Sequence, residues 1–216
     1  MKRHIIRIRS KIRQTAAFTL AEALVATIIM LLVSAIMAAG IPAAIRAYDN
    51  VVIASNAEML MSTAMSELRN ELSTATEISE SSDGGLIFYN ERAGFMSKIY
   101  CLETTNEKGN KVKDIMYQRY YSGKNDKDSM ISDAVTSGSD GTSSAQKLMS
   151  DAVSDKKHKL HVYFEADPDV PGDKPVVYDK EGGFVEFKNI KVMRDNGKDT
   201  AAKRDSYKIR VLADTD

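Results

Sequence analysis

The sequence predicts an α+β fold in which one long N-terminal helix packs on an antiparallel β-sheet. Residues 23–45 contain no charged side chain, and residues 53–75 repeat apolar side chains every three or four positions. After residue 85 the pattern changes to short runs of aromatic and β-branched residues. Because these runs follow one another without intervening helical patterns, the sheet is expected to be antiparallel.

The uncharged run from Ala23 to Ile45 predicts a membrane-spanning helix, which begins at residue 18 in our division of the chain. At about 1.5 Å per residue the run is roughly 34 Å long, enough to cross a hydrocarbon core of about 30 Å. Residues 1–17 form a leader with six Lys and Arg residues and no acid. Such a basic flank is typical of the cytoplasmic side, so the C-terminal domain is expected outside the cytoplasm.

Residues 46–80 are predicted to continue the helix in amphipathic form. Pro42 lies near the junction with the span and predicts a kink there, because proline removes one backbone hydrogen bond from a helix. The apolar stripe of the second half is expected to face the domain core. Its members are Ile53, Ala57, Leu60, Ala64, Leu68, Leu72 and Ala75.

Residues 81–216 are predicted to form one globular domain built on the antiparallel sheet. Turn-forming residues at 81–85 precede it, and residues 122–159, rich in Ser, Asp, Lys and Gly, predict a flexible insertion. The expected strands are residues 86–89, 98–104, 112–121, 160–165, 184–192 and 207–212.

Residues 17–25 resemble the processing site of type IV prepilins and pseudopilins. In both, a basic leader is followed by the order Phe-Thr-Leu-x-Glu, which here begins at Phe18. The resemblance implies that a prepilin peptidase cuts between Ala17 and Phe18 and methylates the new amino group of Phe18. It also implies that Glu22 pairs with the N-terminus of a neighbouring subunit during assembly. Members of the family usually have Gly before the cut, where this chain has Ala17.

The chemistry of Glu22 agrees with that role. A carboxylate within an apolar membrane helix costs about 2.5–3.5 kcal/mol by insertion scales, so a cation partner is expected. Cleavage after Ala17 would create one as the amino group of Phe18. Phe18 and Glu22 are four residues apart and therefore lie on one helix face.

The expected function is therefore structural. The chain is expected to be a subunit, a minor pilin or a pseudopilin, of a type IV pilus-like filament or of a type II secretion or DNA-uptake pseudopilus. The implied partners are prepilin peptidase, other pilin or pseudopilin subunits, the inner-membrane assembly platform and, before assembly, membrane lipid; the implied final location is a surface filament. Without the leader, 24 basic residues face 30 acidic ones, so bulk charge predicts no nucleic-acid partner.

Two other interpretations compete with this one. A secretory signal peptide cut near residues 38–40 has small residues at the cut, but the apolar run is too long and carries Glu22. An uncleaved signal anchor holding an extracytoplasmic binding or sensing domain explains the basic N-terminus. The signal anchor does not explain the Phe-Thr-Leu-x-Glu order.

Catalysis, cofactors and metals are not expected. The sequence has no nucleophile elbow, phosphate-binding loop, dinucleotide fingerprint or His-Glu-x-x-His motif. The acidic clusters at residues 126–133 and 167–173 do not complete a calcium loop. His158 and His161 are expected at the surface. Cys101, the single cysteine, cannot form an intramolecular disulfide and is expected to be a small buried residue.

Overall fold

The structure is a computed structural model that describes residues 20–120, 145–149 and 159–211. It confirms the predicted α+β class: one long helix, α1, is packed on antiparallel sheets. The chain divides into two compact units, one ending at Val51 and the other beginning at Val52. All the strands described below belong to the second unit.

Helix α1 runs from Leu20 to Leu72 and contains Pro42 in its interior. The helix continues on both sides of this proline. In the second unit α1 has the predicted amphipathic character, because apolar side chains at helical spacing are buried while the intervening positions are exposed or half-buried. The buried residues are Ile53, Ala57, Leu60, Met61, Ala64, Met65, Leu68 and Leu72.

The predicted end of the helix at residue 80 was wrong. The helix ends at Leu72, and residues 75–80 form a strand. Ser73 donates its hydroxyl to the Asn70 carbonyl at 3.1 Å, a local bond that competes with helix continuation. The prediction included Ala75 in the helix because it follows Leu72 by three positions, a helical spacing. In the structure Ala75 is buried as the first residue of a strand.

The first sheet is an antiparallel meander in which sequence neighbours are also spatial neighbours. A turn at residues 106–110 joins its two longest strands, and the Asn106 side chain accepts hydrogen bonds from the Lys108 and Asn110 amides at 3.0 and 2.8 Å. The strands are β1 (Ala75–Glu80), β2 (Leu86–Asn90), β3 (Phe95–Thr105), β4 (Lys111–Tyr120) and β5 (Gln146–Lys147).

A second sheet is built around one central strand, so the prediction of a single sheet was incomplete. This central strand, β8 (Phe184–Arg194), pairs along its length with β9 (Thr200–Arg210), and two short strands pair with its two ends. The strands are β6 (Leu160–Tyr163), β7 (Val176–Asp179), β8 (Phe184–Arg194) and β9 (Thr200–Arg210). The six predicted strands are all present, and β1, β5 and β7 are additional.

The core of the second unit is formed by the apolar stripe of α1 and by buried side chains from both sheets. Phe88 from the first sheet and Phe187 from the second are fully buried. Phe164 meets Phe187 edge-on, with ring centroids 5.2 Å apart. The unit therefore has its own core. Of the predicted insertion, residues 145–149 and Lys159 are described, and its predicted flexibility concerns residues outside the described part.

Candidate functional site

The structure describes only some of the predicted processing and assembly residues. Ala17 and Phe18 lie outside the described residues. Glu22 lies in the first turn of α1, where it is exposed. Pro42 lies on the same helix, which continues through it; the predicted kink stays a prediction.

The apolar side chains of α1 in the first unit are exposed. Every residue from Leu20 to Tyr48 is exposed, and twelve large apolar side chains between Leu24 and Ile45 are among them. Burying a large apolar side chain is worth about 1.5–3 kcal/mol, so the free energy available from covering these twelve is on the order of 20 kcal/mol. Such an apolar surface favours contact with lipid or with other apolar surfaces.

This part of α1 is also chemically suited to an apolar environment. It lacks charged side chains between Glu22 and Arg46, and the Thr27 hydroxyl donates to the Leu24 carbonyl at 2.8 Å. A helix satisfies its own backbone groups, which is the requirement for crossing a bilayer. The helix is long and apolar enough to be a candidate membrane span.

A charged cluster lies buried where the two sheets of the second unit meet. His161 on β6 is 5% exposed, and its Nδ1 lies 3.0 Å from Asp114 Oδ1 on β4. On the other side of the ring, Nε2 lies 3.3 Å from Asp195 Oδ1, just after β8. The imidazole therefore bridges two carboxylates, from the first and the second sheet. We call these three residues the carboxylate–histidine bridge.

The geometry of the bridge indicates a doubly protonated imidazole. A carboxylate oxygen accepts hydrogen bonds, so each ring nitrogen must donate to satisfy both contacts. Burial lowers the pKa of His161, but hydrogen bonding and charge attraction from Asp114 outweigh it, with help from Asp195, and the pKa lies above its ordinary value. Burial raises the pKa of both carboxyl groups, but each lies below its ordinary value, that of Asp114 chiefly through His161 and that of Asp195 chiefly through Lys108.

Other side chains hold the carboxylates of the bridge in place. Lys147 on β5 lies 3.0 Å from Asp114 Oδ2, and thereby attaches residues 145–149 to the first sheet. Asp195 accepts from Lys108 at 2.8 Å and from Asn106 at 2.7 Å, both in the β3–β4 turn. All these contacts are structural: they join strands and turns that are distant in sequence.

The prediction that His161 lies at the surface was wrong. A signal was present in the sequence, because His161 belongs to the apolar run from Leu160 to Phe164, and all five residues of that run are buried. Its two carboxylate partners had no such signal, since they are 47 and 34 residues away. His158 lies outside the described residues.

Cys101 is a half-buried thiol packed against the core. Burial raises its pKa to about 12, so it stays protonated at neutral pH and is a poor nucleophile. Its Sγ accepts a hydrogen bond from the Phe164 amide at 3.3 Å, which links β3 to the end of β6. Cys101 thus contributes to packing between the sheets.

The acidic side chains of the described cluster contact other protein groups rather than a shared centre. In the cluster at residues 167–173, Asp173 accepts from the Asp167 amide and from Lys188, and Asp167 accepts from the Asp169 amide. No group of three or more His, Cys, Asp or Glu residues in that part is placed to hold a metal ion. The other cluster, residues 126–133, lies outside it.

Comparison of this chain with models of protein families, with curated proteins and with solved structures finds no match. The interpretation of the chain therefore depends on its own residues and geometry. Two features are distinctive: the exposed apolar part of α1 with Glu22 in its first turn, and the carboxylate–histidine bridge.

Proposed function

We propose that this chain is a structural subunit, a minor pilin or pseudopilin, of a type IV pilus-like filament or of a secretion or DNA-uptake pseudopilus. The observation that carries the proposal is the exposed, uncharged part of α1 with Glu22 at its beginning. The second unit has its own core, so the apolar part of the helix is free for other contacts. Membrane lipid covers it before assembly, and neighbouring helices cover it in the filament.

Glu22 has a role in assembly under this proposal. The dipole of a helix stabilises an acid in the first turn by about 0.3–1 kcal/mol, whereas an apolar surrounding costs a carboxylate about 2.5–3.5 kcal/mol. The methylated amine of Phe18 on a neighbouring subunit adds a cation to this environment. The pair fixes the axial position of one subunit against the next, and prepilin peptidase supplies the amine by cutting after Ala17.

Mass spectrometry of the N-terminal peptide, from protein made in its own host, tests the processing step. The expected result is a peptide that begins with methylated Phe18. An intact leader would instead support the signal-anchored ectodomain, and a start near residue 41 would mean an ordinary secreted protein. Either of these results overturns the proposal.

Replacement of Glu22 tests the assembly step. The Glu22→Ala variant is expected to enter the membrane normally but to be depleted in sheared surface filaments or in the pseudopilus. Glu67→Ala is the matched control, because Glu67 is an exposed carboxylate on the same helix in the second unit. Equal incorporation of the two variants would contradict a role for Glu22. The amount of wild-type chain in the filaments separates a minor from a major subunit.

A further inference from the structure

Strand β9 forms an open edge of the second sheet. It is 11 residues long, and among the described strands it pairs only with β8. Residues 203–206, in the middle of β9, are all exposed, although successive side chains of a strand point to opposite faces. In the described part of the chain, both faces of β9 are therefore open at this point.

The hydrogen-bond register shows which backbone groups of β9 face outward. The Val211 amide donates to the Gly183 carbonyl at 3.1 Å, in line with the β8–β9 pairing. In an antiparallel pair, hydrogen-bonded positions alternate with positions whose amides point away from the partner strand. Tyr207 and Ile209 therefore point their amides toward β8, whereas Lys208 and Arg210 point theirs toward the open edge.

The side chains of this edge are mainly basic. Strand β9 carries four basic residues and one acid, Asp205, which pairs with Lys203 at 2.9 Å, although the chain as a whole has as many acidic as basic residues. The basic residues are Lys203, Arg204, Lys208 and Arg210. The Lys208 Nζ lies 3.7 Å from Glu186 Oε2 and 4.7 Å from the centroid of the Phe184 ring. Because 57% of the side chain is nevertheless exposed, it can donate to a further carboxylate on an added strand. Lys208 and Arg210 lie on one face of the sheet, two residues apart.

These charges determine which strand can be added. Exposed edge strands invite pairing, and lysines on an edge prevent it when the incoming strand is neutral or basic. Two copies of β9 placed edge to edge would bring like charges opposite each other, which is destabilising. A strand with acids at alternate positions would place them opposite Lys208 and Arg210 and form favourable cross-strand pairs.

We propose that the open edge of β9 binds an extended acidic segment of another protein, which adds to the second sheet as a further strand. The backbone amides of Lys208 and Arg210 donate to the segment, and their side chains pair with its carboxylates. Recognition of this kind takes affinity from main-chain bonds and specificity from alternate side chains. The inference is independent of the filament proposal, because it uses only the second sheet.

Binding of a synthetic peptide to the full chain in detergent micelles tests the inference. The probe is a fluorescent ten-residue peptide in which Glu alternates with Thr or Val, and the control peptide has Lys in place of Glu. We expect saturable binding of the Glu peptide that weakens as salt concentration rises, and none of the Lys peptide. Absence of Glu-peptide binding, or equal binding of both peptides, overturns the inference.

Two variants at one position separate the backbone contact from the charge contact. Lys208→Thr removes the charge and keeps the outward amide, whereas Lys208→Pro removes both. Proline is tolerated where the amide of an edge strand faces away from its sheet, so the fold should be kept, as circular dichroism will check. Lys208→Pro should bind the Glu peptide about tenfold more weakly than Lys208→Thr. Equal affinities of the two folded variants would overturn strand addition.

Discussion

Two regions of this chain depart, in opposite directions, from the usual rule that apolar side chains are buried and charged ones exposed. The part of α1 between Leu24 and Ile45 exposes twelve large apolar side chains. The junction of the two sheets buries Asp114 and His161 and half-buries Asp195. An exposed apolar surface is stabilised by something outside the chain, whereas a buried charge is stabilised by partners within it. The first region therefore favours contact with lipid or with other apolar surfaces, and the second indicates internal rigidity.

The largest effect is expected from removal of the cation in the carboxylate–histidine bridge. His161→Leu keeps a similar volume but leaves Asp114 and Asp195 without the charge between them. Loss of one member of a buried ion pair costs about 3–5 kcal/mol, so the free energy of unfolding should fall by about that amount. Urea unfolding in detergent, followed by near-ultraviolet circular dichroism, measures the change.

A rescue variant shows whether charge is the cause. The triple variant that adds Asp114→Asn and Asp195→Asn to His161→Leu removes the carboxylates that lost the imidazolium between them. Their other partners, Lys108 and Lys147, have 70% and 34% of their side chains exposed, so water can solvate these charges. Much of the lost stability should therefore return. If the triple variant is as unstable as His161→Leu or less stable, packing around the ring rather than charge compensation accounts for the loss. The charges of the carboxylate–histidine bridge would then not be what stabilises the junction of the two sheets.

The two regions also differ in how far they could be predicted from the sequence. The exposed helix was predictable because its signal is local: 23 successive residues without charge identify an apolar span. The bridge was not, because Asp114, His161 and Asp195 come together only when β4, β6 and the end of β8 meet. Strand patterns predicted six strands correctly, but pairing between strands distant in the sequence, and hence the second sheet, has no local signal.

A charge placed in the exposed apolar part of α1 tests whether this part of the helix spans the membrane. The variant Leu31→Arg places this charge at a position that is 70% exposed. A charge at the centre of a membrane helix costs about 2.5–3.5 kcal/mol, so the membrane-bound fraction should fall sharply. Fractionation of cells followed by immunoblotting measures that fraction.

Met59→Arg is the matched control for this test. Met59 is also exposed, but it lies beyond Arg46 and Asp49 and outside the uncharged part of the helix. The Met59→Arg variant should stay in the membrane like the wild type. Equal membrane fractions for Leu31→Arg and the wild type would show that the exposed apolar part of α1 is not the span.

Between pH 5 and pH 8, below the range in which the Cys101 thiol ionises in the unfolded chain, the pH dependence of stability should report the bridge. The pKa of His161 is raised on folding, so its contribution is complete below about pH 6.5, the unfolded value, and is lost as the pH rises through the folded value. The pKa values of Asp114 and Asp195 are lowered, so their contributions are present above about pH 3.9, their unfolded value, and are lost as the pH falls through the folded values.

Stability conferred by the bridge should therefore be greatest between about pH 4 and 6.5 and should decrease in alkaline solution. The urea midpoint, measured from pH 5 to pH 8, gives this profile for the wild type. In His161→Leu the decrease above pH 6.5 should be absent. A decrease of the same size in that variant would assign the alkaline effect to other groups.

The smallest change in the free energy of unfolding is expected for Leu31→Ala, which is compared with Leu68→Ala on the same helix. Leu31 is 70% exposed and Leu68 is fully buried in the core of the second unit. Leu31→Ala should change the free energy of unfolding by no more than about 0.5 kcal/mol, as substitutions at exposed sites usually do. Leu68→Ala removes buried methyl groups and should cost about 2–5 kcal/mol. If Leu31→Ala proves as costly in the same urea titration, the apolar residues of the first unit contribute to the folded monomer, and their proposed role in membrane insertion and assembly loses its main support.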